Sequence, residues 1–128
     1  MTVPEAVVAD SYRRRVAAHM AGTGVLKPIA FIAYGDGGHN PDNTPKPADS
    51  GAAGLYHEVK RKPVTALVQE DLYSATGKGV VESDDLAAGA LSEAALLDTD
   101  GNLVCWKTFA PKYLENGETY GVNLKMRF

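Results

Sequence analysis

The sequence predicts an α+β fold in which one N-terminal helix packs on an antiparallel β-sheet or a small β-sandwich, with a long Gly/Pro loop. Three observations lead to this prediction: an amphipathic helical pattern near the N-terminus, several later segments typical of strands, and loop-forming residues over 35–54. The chain of 128 residues has the usual size of one domain. We therefore expect a single domain over residues 1–128.

The helix is predicted over residues 4–21. Its apolar residues recur every four positions and would form one stripe, at Val8, Tyr12, Val16 and Met20. Pro4 suits the first turn, Thr2 and Glu5 have the spacing of a capping box, and Gly22 supplies the stop. Three consecutive arginines would fan around the helix as a solvated flank, with contact to an acidic partner as the alternative: Arg13, Arg14 and Arg15.

Strands are predicted after the helix. Residues 26–34 are rich in Ile and aromatic side chains and should form a strand buried on both faces or nearly so. Residues 56–68 contain Val and Thr and favour an extended segment, which Pro63 would place at a sheet edge or break in two. A polar turn should follow, and then a short strand at Val80 and Val81.

A β-hairpin is predicted over residues 90–110. Two apolar runs flank the turn sequence at 98–102, where Gly and Asn accept the positive φ that such turns need. The Ala-rich first arm also favours a helix, but the turn residues favour strands. The last strand, residues 119–128, alternates apolar and polar side chains and should have one buried and one wet face.

The stretch at residues 35–54 is rich in Gly, Pro, Asp and Asn and has almost nothing large and apolar to bury. A loop of this length inside a compact domain is usually functional or mobile. We therefore expect it to serve a function.

The composition excludes several classes of protein. The net charge is −3 at pH 7, so no basic excess attracts nucleic acid or an anionic membrane surface. The one cysteine, Cys105, cannot form an intrachain disulfide, which excludes a disulfide-stapled secreted scaffold. Apolar runs are far shorter than a membrane span, and the N-terminal charge order is opposite to that of a secretory signal. The sequence predicts a soluble protein.

Residues that could carry chemistry are scattered. A zinc site is not indicated, because the histidines and the cysteine lie on different predicted elements: His19, His39, His57 and Cys105. Cys105 lies beside Trp106 and is expected to be a small buried hydrophobe. No nucleophile motif of the G-x-S-x-G type occurs. Glu58 and Glu93 are expected to pair with Lys or Arg or to face water.

Two further ligand motifs fail on inspection. Asp98, Asp100 and Asn102 match the start of a calcium-binding EF-hand loop, but Gly101 stands at the fourth position and Phe109 at the twelfth. The glycines after the first predicted strand do not complete a nucleotide-binding motif, which needs another glycine or a Gly-Lys-Ser/Thr sequence. The sequence therefore indicates no metal, no cofactor and no enzyme activity.

Three short motifs follow one another along the chain: G-D-G at 35–37, G-L-x-x-E-x-x-R at 54–61 and E-x-x-L-x-D-x-D-G-N-L at 93–103. In this order, over residues ~4–110, they resemble the tail-collar fibre family, the N-terminal, baseplate-attaching region of tail fibre proteins in contractile-tailed phages. The resemblance assigns structural roles to a set of motif residues: Gly35, Gly37, Gly54, Leu55, Glu58, Arg61, Glu93, Asp98, Asp100, Gly101 and Asn102.

The resemblance implies a virion structural protein, a short tail fibre or fibre adaptor, assembled in the host bacterial cytoplasm. Its partners would be itself, as a homotrimer, a baseplate wedge protein, and a distal fibre protein at the C-terminus. Family members commonly continue into a long shaft, whereas this chain stops at Phe128, which leaves a free-standing adaptor, a very short fibre or a truncated fibre open. Partner contacts are expected in the loop and the helix, at Asp36, His39, Asn40, Tyr12, Arg13 and Met20.

Two other functions remain open. A carbohydrate- or receptor-binding tip would use exposed aromatic side chains, for which Tyr56, Tyr73 and Trp106 are candidates. A small-ligand-binding or metal-dependent enzyme domain would need a pocket with converging polar groups. The sequence offers one such group of residues: Asp36, His39, His57 and Glu58.

Overall fold

Antiparallel strands dominate the computed structural model, which describes residues 6–86 and 90–128. The elements are β1 (Val7–Val8), α1 (Asp10–Met20), β2 (Ile29–Gly35), β3 (Glu58–Pro63), β4 (Ala66–Asp71), β5 (Ser74–Glu82), a short 3-10 helix (Ser83–Asp85), β6 (Ala90–Asp98), β7 (Leu103–Tyr113) and β8 (Thr119–Arg127). The protein is β-rich, and the predicted α+β class is wrong. In these residues the only α-helix has 11 residues, and none of its side chains is buried.

The strands form two antiparallel sheets. The larger sheet has five strands in the order β1-β7-β6-β2-β3, and the smaller has three in the order β4-β5-β8. Strands β3 and β4 are consecutive in the chain but belong to different sheets, and each is an edge strand. The change of sheet follows Pro63, which ends β3, as its missing N–H and fixed φ lead us to expect.

The main hydrophobic core lies between the two sheets. It contains Ile32 and Tyr34 from β2, Leu96 from β6 and Leu124 from β8, all without exposed surface. The sheets approach closely at Gly77 of β5, where an added Cβ would lie 2.6 Å from a methyl group of Leu96. The absence of a side chain on this glycine therefore makes room for β6 beneath β5.

A second apolar cluster covers the opposite face of the five-stranded sheet. Its buried members come from β2, β6, β7 and the residue before the helix: Ala9, Ala33, Ala95, Leu97, Leu103 and Trp106. Ala48, Ala52 and Leu55 of the long loop pack against them. Strand β6 is therefore buried at every position from Ala90 to Asp98, because the smaller sheet covers one face and the loop covers the other.

The predicted start of the helix is wrong. Val7 and Val8, expected in the helix, form β1 instead and pair with Trp106 and Cys105 of β7. The β-branched side chains and the open edge of β7 favour a strand there, and the helix begins only at Asp10. The expected first turn and capping box, at Thr2, Pro4 and Glu5, lie outside the described residues.

The predicted strands agree better with the structure. The hairpin is confirmed as β6 and β7, and the terminal strand is confirmed as β8, whose Val122, Leu124 and Met126 are buried. Phe128, expected on the same buried face, is instead exposed. The short strand predicted at Val80 and Val81 is part of the nine-residue β5. The sequence predicts only part of β5, because its glycines weaken the strand pattern although packing requires them.

Candidate functional site

The three sequence motifs meet at one buried carboxylate, that of Glu93. Its side chain lies in β6 and has no exposed surface. Oε2 accepts hydrogen bonds from the backbone N–H groups of Gly37, at 3.0 Å, and His57, at 2.8 Å. Oε1 accepts a third from the N–H of Tyr56, at 2.7 Å. One side chain of the hairpin therefore fixes both ends of the loop that joins β2 to β3.

Gly35 and Gly38 leave room for Glu93 and for its neighbour Ser92. A Cβ at Gly35 would lie 2.5 Å from Glu93 Oε2 and 2.5 Å from the carbonyl oxygen of His57. A Cβ at Gly38 would lie 2.5 Å from the carbonyl oxygen of Ser92. The N–H of Gly38 donates to the Ser92 hydroxyl at 2.8 Å. Larger residues would push the loop off the sheet.

Glu93 corrects one expectation from the sequence. It neither pairs with a basic side chain nor faces water, because backbone N–H groups satisfy its carboxylate. Such bonds to an ionised acceptor are among the stronger hydrogen bonds in proteins. Glu58 does follow the expectation, since Arg61 donates to both of its oxygens at 3.0 Å. The sequence does contain a signal for this role: Glu93 is a single acid inside the apolar run of β6, and a buried charge requires hydrogen-bond or ion-pair partners.

The hairpin turn is organised by a second buried acid. Asp98 Oδ1 accepts hydrogen bonds from the N–H groups of Asp100 and Asn102, both at 2.9 Å. Gly101 has a φ of +82°, the left-handed conformation expected of this turn. Arg15 of the helix places its Nε 3.7 Å from Asp98 Oδ2 and donates from Nη2 to the carbonyl of Leu103 at 2.7 Å. Asp98 therefore shapes the turn and, through Arg15, anchors α1.

The remaining motif residues have less demanding surroundings. Leu55 is half-buried and packs with the cluster around Trp106. A Cβ at Gly54 would meet open space, and nothing in the structure explains the glycine there.

The loop is held down along its length by the outer face of the sheet. Trp106 donates from Nε1 to the carbonyl of Asp49 at 3.0 Å, and Thr108 donates to the carbonyl of Lys46. Tyr56 donates from its hydroxyl to the carbonyl of Pro47 at 2.7 Å. These hydrogen bonds, with the packing of Ala48, Ala52 and Leu55, let the loop cover part of the sheet's outer face, while residues 41–45 stay exposed.

The structure brings together two of the four polar residues considered for a ligand pocket. His57 Nδ1 lies 2.5 Å from Asp36 Oδ1 at the surface. Glu58 is occupied by Arg61, and His39 forms an isolated backbone bridge with Pro45. Asp36 and His57 form a hydrogen-bonded contact at the base of the loop, which is a salt bridge when His57 is protonated.

The pKa of His57 is raised above its ordinary value by the hydrogen bond to Asp36 and by the charge of that carboxylate. We expect an NMR titration of the His57 ring to give a midpoint above about 6.5, and Asp36→Asn to lower it toward that value. Because the folded-state pKa is raised, the stability from this pair is complete below the unfolded pKa and is lost as the pH rises through the folded one. An unchanged midpoint in the variant would contradict the pairing.

The helix residues expected to contact a partner line a shallow groove. Tyr12, Arg13 and Met20 lie along it together with Val8, Val16, Ala17 and Phe128, around a volume of about 220 Å³. Met20 is 80% exposed and Phe128 is 62% exposed. The apolar stripe predicted from the sequence therefore lies on one face, although Val8 contributes from β1.

The other loop candidate, Asn40, stabilises the loop's tip. Its N–H donates to the carbonyl of Thr44 at 2.8 Å, and its side-chain amide donates to the Thr44 hydroxyl at 3.1 Å. Asp42 accepts hydrogen bonds from the N–H and the hydroxyl of the same threonine, which lowers the pKa of this carboxyl. The tip is thus a compact polar turn.

The aromatic candidates for a carbohydrate platform do not form one surface. Trp106 is only 1% exposed, and the Tyr56 ring is tilted against it at 5.5 Å between centroids. Tyr73 is exposed, but it lies in the turn between β4 and β5. Trp106 serves the core and the loop, which leaves no stacked aromatic pair at the surface among these three residues.

Potential metal ligands are dispersed in the described residues, and the cysteine thiol is buried. In residues 6–86 and 90–128, no three His, Cys, Asp or Glu side chains are grouped to hold a metal ion. Burial raises the pKa of the Cys105 thiol to about 12, which makes it a poor nucleophile. No helix in the described part of the chain is long and apolar enough to cross a membrane.

Comparison with known proteins gives no assignment. No protein-family model matches the chain, and no curated protein matches it at a significant level of similarity.

Proposed function

We propose that this protein is a structural component of a bacteriophage tail, a short tail fibre or fibre adaptor that joins a fibre to the baseplate as a homotrimer. The observation that carries the proposal is the meeting of the three motifs at Glu93. Residues 35–37, 54–61 and 93–103 are far apart in the chain, yet they form one local structure. This supports the resemblance, because the residues of one family pattern are expected to act together in one local structure.

The use of these residues also favours an assembly role over catalysis. The acids of the motifs are engaged by the protein itself: Glu93 and Asp98 by backbone N–H groups, Glu58 by Arg61. Groups engaged in this way hold a shape and are not available to move protons on a substrate. A joint between tail components needs a stable shape and contact area.

The groove beside α1 is the surface that we assign to contact between copies of the chain. Its apolar members are clustered, and clusters of exposed apolar side chains commonly mark protein interfaces. Three copies related by a closed rotation would bury these side chains without forming an open polymer.

The oligomeric state tests this assignment. Light scattering on the purified chain should give a mass near that of three 13.6 kDa chains. Met20→Asp should convert the protein to single chains, because it places a charge on the apolar groove. Val25→Asp is the matched control, since Val25 is 75% exposed and lies outside the groove. A wild-type mass of one chain would contradict the homotrimer.

Incorporation into the tail tests the role of the loop. Replacing Asp36 and His39 together with alanine should leave the trimer intact and reduce the amount of this protein in purified phage particles, measured by immunoblot. Asp36 lies at the base of the loop and His39 forms the backbone bridge with Pro45, and neither residue lines the groove of α1. Unchanged incorporation would remove the support for partner contacts through the loop.

A further inference from the structure

A cleft of about 300 Å³ is lined by residues of β7 and β8, one strand from each sheet. Its lining shares no residue with the groove of α1 or with the loop, although Thr108 also donates a hydrogen bond to the loop carbonyl of Lys46. Its lining combines two lysines, two aromatic side chains and an exposed strand edge, at Lys107, Thr108, Phe109, Lys112, Tyr120, Gly121, Val122 and Asn123. This volume is at the lower end for ligand sites, which suits a small molecule or one side chain of a partner.

The strand edge presents backbone groups to the cleft. Strand β8 is at the edge of its sheet, and the carbonyl of Lys125 accepts a hydrogen bond from Ala6, on the side away from β5. Alternate residues of an antiparallel strand direct their N–H and C=O groups to the same side. Gly121 and Asn123 therefore direct theirs away from β5 as well, toward the cleft that they line.

The two lysines supply positive charge to the cleft. Among residues 6–86 and 90–128, no carboxylate lies within ion-pair distance of Lys107 or Lys112. Lys107 is half-buried, and this burial lowers the pKa of its ammonium group. Lys112 Nζ lies 5.2 Å from the ring centroid of Tyr120. An anion entering the cleft would compensate a partly desolvated charge.

The other walls of the cleft are apolar. Phe109 and Tyr120 are half-buried and pack against the main core, and Val122 of β8 is a buried member of that core. An apolar or aromatic body would be favoured against these walls, while its charged end met the lysines.

We propose that this cleft binds a carboxylate attached to a small apolar or aromatic group. The carboxylate would contact Lys107 and Lys112, and the attached group would pack against Phe109 and Tyr120. Two sources supply this chemistry: a free carboxylic acid, or an acidic side chain of a partner protein next to apolar residues. The proposal does not depend on a role in phage tails, since a single-chain mass in solution would leave the cleft unchanged.

An NMR titration of the whole chain tests the site. Phenylacetate should shift the amide signals of Gly121 and Asn123 in a saturable way, whereas phenylacetamide, which lacks the charge, should bind at least about tenfold more weakly. The double variant Lys107→Met, Lys112→Met should lose about tenfold or more in affinity for phenylacetate. Lys27→Met is the matched control and should bind as the wild type does, because Lys27 is exposed and outside the cleft.

A second titration distinguishes the two sources. A blocked pentapeptide with Glu between two pairs of valines is compared with the same peptide carrying Gln. Tighter binding of the Glu peptide than of phenylacetate would assign the site to a partner protein, and the reverse order would assign it to a free acid. The proposal is overturned if neither carboxylate shifts Gly121 and Asn123, or if the lysine double variant binds both as the wild type does.

Discussion

Replacing Glu93 with alanine should lower the free energy of unfolding by about 4 kcal/mol, since three backbone N–H groups then lose a buried acceptor. Gly37, Tyr56 and His57 donate these bonds to a side chain that has no exposed surface. Glu93→Gln keeps one oxygen but turns an NH₂ group toward a donor, so we expect a smaller loss of about 2 kcal/mol. Urea unfolding followed by fluorescence of Trp106 measures both.

The control for Glu93 is a surface acid of the same type. Glu70 is exposed and lies 3.9 Å from Lys125, so Glu70→Gln should change the stability by no more than about 0.5 kcal/mol. Equal unfolding midpoints for Glu93→Gln and Glu70→Gln would show that the loop does not depend on the buried carboxylate.

Replacing Gly79 with valine should lower the free energy of unfolding by about 3 kcal/mol, because it forces the two sheets apart. A Cβ at Gly79 would lie 2.5 Å from the hydroxyl oxygen of Tyr34 and 2.7 Å from Cγ2 of Ile32. Both neighbours are fully buried in β2 and have no space into which to move. Thermal or urea unfolding measures the loss.

Gly121→Val is the matched control for Gly79→Val, because Gly121 lies on the strand that pairs with β5. It lies in β8, and a Cβ added there meets no atom within 4 Å. Gly121→Val should therefore keep or slightly raise the stability, because valine favours a strand. A loss in Gly121→Val as large as that in Gly79→Val would indicate that the strand's backbone, not the contact between sheets, needs glycine.

Local sequence patterns predict the hairpin correctly, but they do not reveal the full length of β5. The turn at Asp98 to Asn102 is organised by bonds within five residues, so its residue types predict it. Gly77 and Gly79 weaken the pattern of β5 in the sequence, and the reason for them lies in side chains of β2 and β6. The role of Glu93 was not predicted for a similar reason. Its hydrogen-bond donors precede it in the chain by 36 to 56 positions.

The error at the N-terminus has a similar cause. Val7 and Val8 continue a helical pattern, but they sit beside the open edge of β7, which no local signal reveals. Once they pair there, the helix is short and its face is left partly open. The protein therefore has less helix and more strand than the sequence predicts. The partner residues proposed on α1 and on the loop stay predictions, because the structure of a single chain shows none of its contacts with other molecules.

The fastening of the loop by β6 and β7 has a consequence for biosynthesis. Residues 36–57 emerge from the ribosome well before Glu93 and Trp106, which hold them in the finished protein. Until the second half of the chain has emerged, the loop has neither its carboxylate nor its tryptophan, and only local turns can form within it. A ribosome that stalled before codon 93 would thus hold a nascent chain whose loop lacks both of these anchors.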